Sequence, residues 1–368
     1  MNRLGAWAGA AMLIVGGVPA AAATGGLQSA LDGLRQAGIP GAFAEVRVGD
    51  QVWRGAAGVA DLDSGRPVQP EMRHRIGSVT KTFTAAAVLR LAEQGKIGLD
   101  DPISRHLGLV PGERGDRITV RMLLNMTSGL ADYRFLAFPS LLEGSPQSLE
   151  DNRFRHFYPR ELIKMGVDAP AVEPGVYSNT GYLLLGRLIE KVTGMTAERY
   201  ITRSVIEPAG LRNTMFPTGT RIEGPHSLMY EALFGLLDPP RDYSVYDMSW
   251  VGVSASLIST MDDVNRFYRL LLDGRIISRN SLAQMQQTGP VVAFDGSTIQ
   301  YGLGLHRLET PCGTFWGHDG STWGAGTWSF TSADGRRQVS LAVNLQRWND
   351  KAIDDALVAF QQKALCQL

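Results

Sequence analysis

The chain has 368 residues, 36 Lys plus Arg against 36 Asp plus Glu, 44% hydrophobic positions and two cysteines. That length predicts one large domain or two interleaved ones with a substantial core, and excludes a small disulfide-held scaffold. Zero formal net charge, with no run of five like charges, excludes the footprint of a nucleic-acid or polybasic membrane binder, so a small substrate is expected.

Residues 1–23 carry Arg3, an apolar stretch from Leu4 to Val18 and the small residues Ala21-Ala22-Ala23. This is the layout of a secretory signal peptide; Gly and Pro interrupt the stretch, which weakens the alternative of a retained membrane anchor. A secreted protein, extracellular or periplasmic, without a stable membrane anchor is expected. Export makes Cys312 and Cys366 a natural disulfide pair, because exported proteins live where disulfides persist; two separate buried thiols are the alternative.

Residues 42–60 alternate apolar and polar positions around Gly49-Asp50, which predicts a β-hairpin. Residues 78–94 read as a largely apolar helix stopped at Gly95. The stretch 101–252 differs, with helical segments at 119–126 and 180–193 between Pro and Gly loops. From about 253 strands return: YGLGLHRLE, GTFWGHDGS, AGTWSFTSA and QVSLAVNLQ read as consecutive antiparallel strands, and a helix over 351–364 closes the chain. The expected fold is α/β (α+β): an antiparallel sheet domain from residues 24–100 and 253–368, flanked by helices, with a mostly helical domain (101–252) inserted. A cleft is expected where the two meet.

Three short elements carry chemistry. Ser78 and Lys81, three residues apart at the start of the apolar helix, share one helical face. A desolvated lysine can take the proton of a serine hydroxyl, and free N–H groups at a helix start suit a developing oxyanion. Taken alone, S-x-x-K reads first as a helix cap followed by a solvated lysine, and only the company of the other motifs changes that. Tyr177 and Asn179 flank Ser178 on a loop before a helix, where a phenol can shuttle a proton and an amide can hold both a lysine and a substrate carbonyl. His318 and Gly320 share one face of a strand pattern, and the missing side chain at Gly320 lets a substrate backbone approach. No G-x-S-x-G exists, which removes the nucleophile-elbow reading. The six histidines form no metal-ligand spacing; neither metal nor cofactor is expected.

The set Ser78-x-x-Lys81, Tyr177-x-Asn179 and His318-x-Gly320 resembles the penicillin-recognising serine hydrolases, in the branch that holds class C β-lactamases and D-alanyl-D-alanine carboxypeptidases. Supporting matches include ITVRMLLNMTSGL, PGVYSNTGYLLLGRLIEKVTG, LISTMDDVNRF and YGLGL. Histidine in the third motif and the two cysteines look most like its secreted carboxypeptidase/transpeptidase members. The resemblance implies a β-lactamase/transpeptidase-like fold and an acyl-enzyme on Ser78. Lys81 and Tyr177 would move the proton, Asn179 would orient the acyl amide, and His318 would keep Tyr177 acidic. The N–H groups of Ser78 and Ser321 would form the oxyanion hole, and Phe138 and Trp250 would lie over the substrate channel.

Three positions depart from the family pattern: Asp319 replaces a small Thr, His306 or Arg307 is all that matches a substrate-carboxylate arginine, and Met126, read as packing, replaces a frequent His. The leading expectation is a D-Ala-D-Ala carboxypeptidase, monomeric, taking a small peptide, ester or β-lactam. An esterase, D-amino-acid amidase or peptidyl transacylase, a β-lactamase, and a non-catalytic penicillin-binding sensor are the alternatives.

Overall fold

The computed structural model of the protein describes residues 20–366. Of the predicted leader, residues 1–19 lie outside this range, and helix α1 (Ala20–Gln36) begins before its expected end. The centre is an eight-stranded antiparallel sheet: β1 (Gly41–Val48), β2 (Gln51–Gly58), β3 (Gly289–Val292), β4 (Thr298–Tyr301), β5 (His306–Thr310), β6 (Gly313–Ser321), β7 (Gly326–Ser332) and β8 (Arg337–Val343). Their order is β2-β1-β8-β7-β6-β5-β4-β3. The early hairpin therefore joins the late strands through β1 and β8, in register from Ala42↔Val343 to Val48↔Arg337. The fold is a mixed α/β one built on an antiparallel sheet from two distant stretches of chain, as expected.

Both faces of the sheet are covered. Ala42, Ala44 and Val46 point toward Leu27, Leu31 and Leu34 of α1, and toward Phe360 of the closing helix, Lys351–Cys366. Several alternate positions are polar yet buried: Glu45, Gln338 and Ser340 face Asn265, on the helix Met261–Leu272. Asn265 Nδ2 donates to Glu45 (3.2 Å), Ser340 Oγ donates to Asn265 Oδ1 (2.8 Å) and Gln338 Nε2 donates to the Asn265 carbonyl (2.6 Å). A buried polar face is tolerated because its groups find partners, so polar-out alternation in this hairpin does not mean a solvated face.

Helix α2 (Thr80–Glu93) is buried on nearly every side. Its threonines are compatible with that position because Thr82 donates to the Gly304 carbonyl (2.8 Å) and Thr84 to the Val253 carbonyl (2.7 Å). Gly95, at φ 67°, follows as the left-handed stop. Residues 101–252 contain short helices, α3 (Asn179–Thr193) and only two-residue strands. YGLGLHRLE, read as one strand, is split into the end of β4 and the start of β5. Gly304 bends the chain at φ 74°, and a Cβ there would lie 2.6 Å from Ala85 and 2.8 Å from the Tyr182 hydroxyl. Strand β3, which the sequence did not disclose, docks on the Tyr177 loop: Tyr177 N donates to the Val292 carbonyl (3.0 Å).

Cys312 and Cys366 form a disulfide with a Cα–Cα distance of 5.5 Å across 54 residues, tying the closing helix to the turn that opens β6. Cross-linking a loop of this length restricts the unfolded chain, so Cys312→Ser is expected to lower unfolding free energy by about 2–4 kcal/mol, read as a lower denaturant midpoint. Among the described residues, no helix is long and apolar enough to cross a membrane.

Candidate active site

Ser78 sits in a single 3-10 turn, Gly77–Val79, that leads into α2. The turn packs directly on β6. A Cβ on Gly77, at φ 53°, would lie 2.4 Å from Ser321 N, and one on Gly320 would lie 2.1 Å from the Ile76 carbonyl and 2.8 Å from Ser78 N. Two glycines let these backbones approach so closely, and the approach brings the turn carrying the Ser78 amide against the Ser321 amide.

Lys81 is fully buried, and its ammonium has three partners: Ser78 Oγ at 3.1 Å, Asn179 Oδ1 at 2.7 Å and the Ser254 carbonyl at 3.1 Å. Burial lowers its pKa from 10.5 to about 7, with Arg134 adding to the fall and the carboxylates of Asp132 and Asp319 opposing it. Near neutral pH the uncharged lysine is therefore within easy reach. In that form two N–H groups hold Asn179 and Ser254, and the lone pair is left for the Ser78 hydroxyl. Asn179, at the first position of α3, is itself fixed by Asp132, whose carboxylate accepts from its backbone N (2.7 Å) and its Nδ2 (2.9 Å).

Tyr177 is 5% exposed and its ring centroid lies 4.9 Å from Lys81 Nζ. Burial pushes its pKa well above the usual phenol value, although the Ser78 hydroxyl beside it favours the phenolate. Tyr177 in this state is a proton-bearing group rather than a standing base. Tyr177 meets His318 edge to face, with ring centroids 6.4 Å apart, and His318 Nε2 lies 3.0 Å from the hydroxyl of Tyr301. With Nδ1 donating to its neighbour's carbonyl at Asp319, Nε2 is left as the acceptor of the Tyr301 O–H. Tyr301, the first residue of YGLGL, was not singled out by sequence, and neither were Asp132 and the Ser254 carbonyl.

These groups border a cavity of about 730 Å³, with Ser78, Tyr177, Asn179, His318, Gly320 and Ser321 all on its wall. Trp250 borders it too, stacked on Trp323 at 4.7 Å. Phe138 does not: it is fully buried behind both indoles, edge-on to Trp250 (5.2 Å) and Trp323 (5.4 Å). The expectation that Phe138 touches substrate is therefore corrected. Its ring supports the wall, and Trp323 occupies the surface. Met126 packs as expected, 3% exposed, with its sulfur accepting from Ser178 N at 3.5 Å.

The cations expected to meet a substrate carboxylate are engaged or neutral. Arg307 pairs with Glu309. His306 is pushed down to about 4 by burial, with nearby Asp319 opposing the shift, and so is uncharged at neutral pH. Among the described residues no cluster of His, Cys, Asp or Glu fits a metal ion.

A family model described as "Beta-lactamase" matches residues 26–364. A D-stereospecific amidohydrolase from Streptomyces sp. is 32% identical, with a TM-score of 0.82 over 94% of this chain and 99% of that one. The D-amino acid amidase of Ochrobactrum anthropi SV3, crystallised with L-phenylalanine amide, shares the fold at 24% identity, with a TM-score of 0.79 over 93% and 98%. Penicillin-binding protein 4* of Bacillus subtilis (strain 168) is 29% identical over 315 residues, 80% of this chain and 66% of that protein. The putative penicillin-binding protein PbpX of the same strain is 26% identical over 74% of this chain and 63% of its own. The chain thus spans about two thirds of the length of these two relatives.

Proposed function

The chain belongs to the β-lactamase family of serine hydrolases, and from that membership we propose that it hydrolyses the amide bond that follows a D-configured residue, through an acyl-enzyme on Ser78. The observation that carries the reading is the buried Lys81, held against Ser78 Oγ with its pKa near 7. In the first step Ser78 Oγ attacks the scissile carbonyl carbon while its proton passes to the neutral Lys81 amine. The negative oxygen that forms is met by the Ser78 and Ser321 amides. The C–N bond then breaks as a proton reaches the leaving nitrogen by way of Tyr177, giving a neutral amine and an ester on Ser78. Water attacks that ester, Lys81 again takes the proton, and Ser78 is restored with its hydrogen. The D-configuration is supported by the 32% identical amidohydrolase, which aligns over nearly its whole length. The disulfide fits the exported setting expected from the leader-like N-terminus.

The D-Ala-D-Ala carboxypeptidase expected from the motifs is one case of this reaction, in which the leaving amine is a D-amino acid with a free carboxylate. The test offers the purified protein matched D- and L-aminoacyl p-nitroanilides, then quenches the reaction in acid for peptide mass mapping. The D-isomer is expected to be cleaved at least about tenfold faster, with acyl mass on the peptide containing Ser78. Preference for the L-isomer, or turnover without mass on that peptide, overturns the reading.

A further inference from the structure

We infer that Asp319 sets the leaving-group specificity of this site, admitting amides, esters and cationic amines and rejecting leaving groups that carry a free carboxylate. The inference rests on the acyl-enzyme reading above and names its substrate class.

The leaving nitrogen must lie within reach of the Tyr177 hydroxyl, because that group hands it a proton. His318 and Asp319 border the same cavity as Ser78 and Tyr177. Strand β5 pairs with β6 only as far as Gly317, so from His318 onward that edge of β6 is open. The Asp319 side chain, 64% exposed, turns over this edge until Oδ1 lies 3.5 Å from His318 Nδ1 and 4.0 Å from His306 Nδ1. Its charge reaches the reacting groups, raising the proton affinities of both Lys81 and Tyr177.

Asp319 is ionised at any working pH. Burial alone would raise its pKa, but the hydrogen bond from His318, with the charges that His318 and His306 carry in acid, outweighs that and brings it to about 2. The group set against it is His318, with Nδ1 3.5 Å from Oδ1 and Nε2 at the Tyr301 hydroxyl. His306 is uncharged at neutral pH. Of the two guanidinium groups on the cavity wall, Arg347 is locked on the buried Glu231, whereas Arg134 stacks on Phe294, 3.8 Å from Asp132, with no hydrogen-bond partner at Nε. A carboxylate on the leaving amine would meet the Asp319 charge on a wall where Arg134 already lies beside Asp132, whereas a carboxamide meets it as a hydrogen-bond donor.

The test compares kcat/KM for N-acetyl-D-Ala-D-Ala-amide with that for the same peptide bearing a free C-terminus. The native protein is expected to prefer the amide by about 100-fold, the size of one uncompensated like-charge contact in a partly wet site. Asp319→Asn and Asp319→Thr should each bring the ratio below about tenfold. Raising the ionic strength should narrow the native ratio and leave the Asn ratio in place, a response a merely structural role would not produce. A native ratio near one, or a ratio unmoved by both substitutions, overturns the inference while leaving the acyl-enzyme reading intact. A protein that cleaves neither peptide contradicts that reading and this inference with it.

Discussion

Ser78→Ala, Lys81→Met and the double variant are expected to fall to the same residual rate, a loss of about 10⁴- to 10⁶-fold in kcat/KM for D-aminoacyl amides. Residues that act as one unit lose their whole contribution when any member is removed, so the double variant should be no worse than either single one. The unit is visible in the geometry. Lys81 Nζ is 3.1 Å from Ser78 Oγ, and its other contacts, Asn179 Oδ1 and the Ser254 carbonyl, are amide oxygens that cannot take the serine proton. Acylation therefore needs the uncharged amine. The sign follows: Lys81 loses its proton as pH rises through about 7, so kcat/KM of the native protein should climb about tenfold per pH unit below that value and level off above it. An acid limb centred near 4 instead, in the carboxylate range, would point to a different base. Additive losses in the double variant would show that the two residues do not act together.

What could be read from the sequence depended on how local the signal was. Ser78 and Lys81 were legible because three residues of helix set their relation, and Tyr177 with Asn179 because one residue of extended loop does. The late strands β6, β7 and β8 were legible because turns bound each of them. By contrast, the Ser254 carbonyl meets Lys81 across 173 residues and carries no side-chain signature at all. Asp132 reaches Asn179 across 47 residues and looks like any loop acid. Tyr301 was hidden inside a motif that read as one continuous strand, because a glycine with positive φ is indistinguishable in a sequence from a glycine in a strand. Phe138 and Trp250 illustrate a further limit. Sequence can nominate two aromatic residues for a wall, but which ring faces the cavity and which backs it is decided with a third, Trp323, that only the packing brings against both.

Gly320→Ala should be the most damaging single-methyl change near the site. A Cβ there would stand 2.1 Å from the Ile76 carbonyl and 2.8 Å from Ser78 N, and both are backbone atoms that cannot rotate away. Either β6 or the turn carrying Ser78 has to move. Overpacking of this kind costs about 1–3 kcal/mol of stability, but the larger effect falls on catalysis, because the displaced atoms include the two amides that would receive the oxyanion. Loss of one such donor is worth about 10²- to 10³-fold in kcat, and displacing the turn disturbs both together. The expected result is a folded protein with a modestly lowered melting temperature, near-native KM and kcat reduced at least about 10³-fold. Gly33→Ala is the matching control: it lies in α1 with no atom within 4 Å of the added Cβ, so stability should hold or rise by a few tenths of a kcal/mol, with kcat unchanged. Native-like kcat in Gly320→Ala would mean that the Ser78 and Ser321 amides do not need this spacing, and the oxyanion site would have to be sought elsewhere along the cavity.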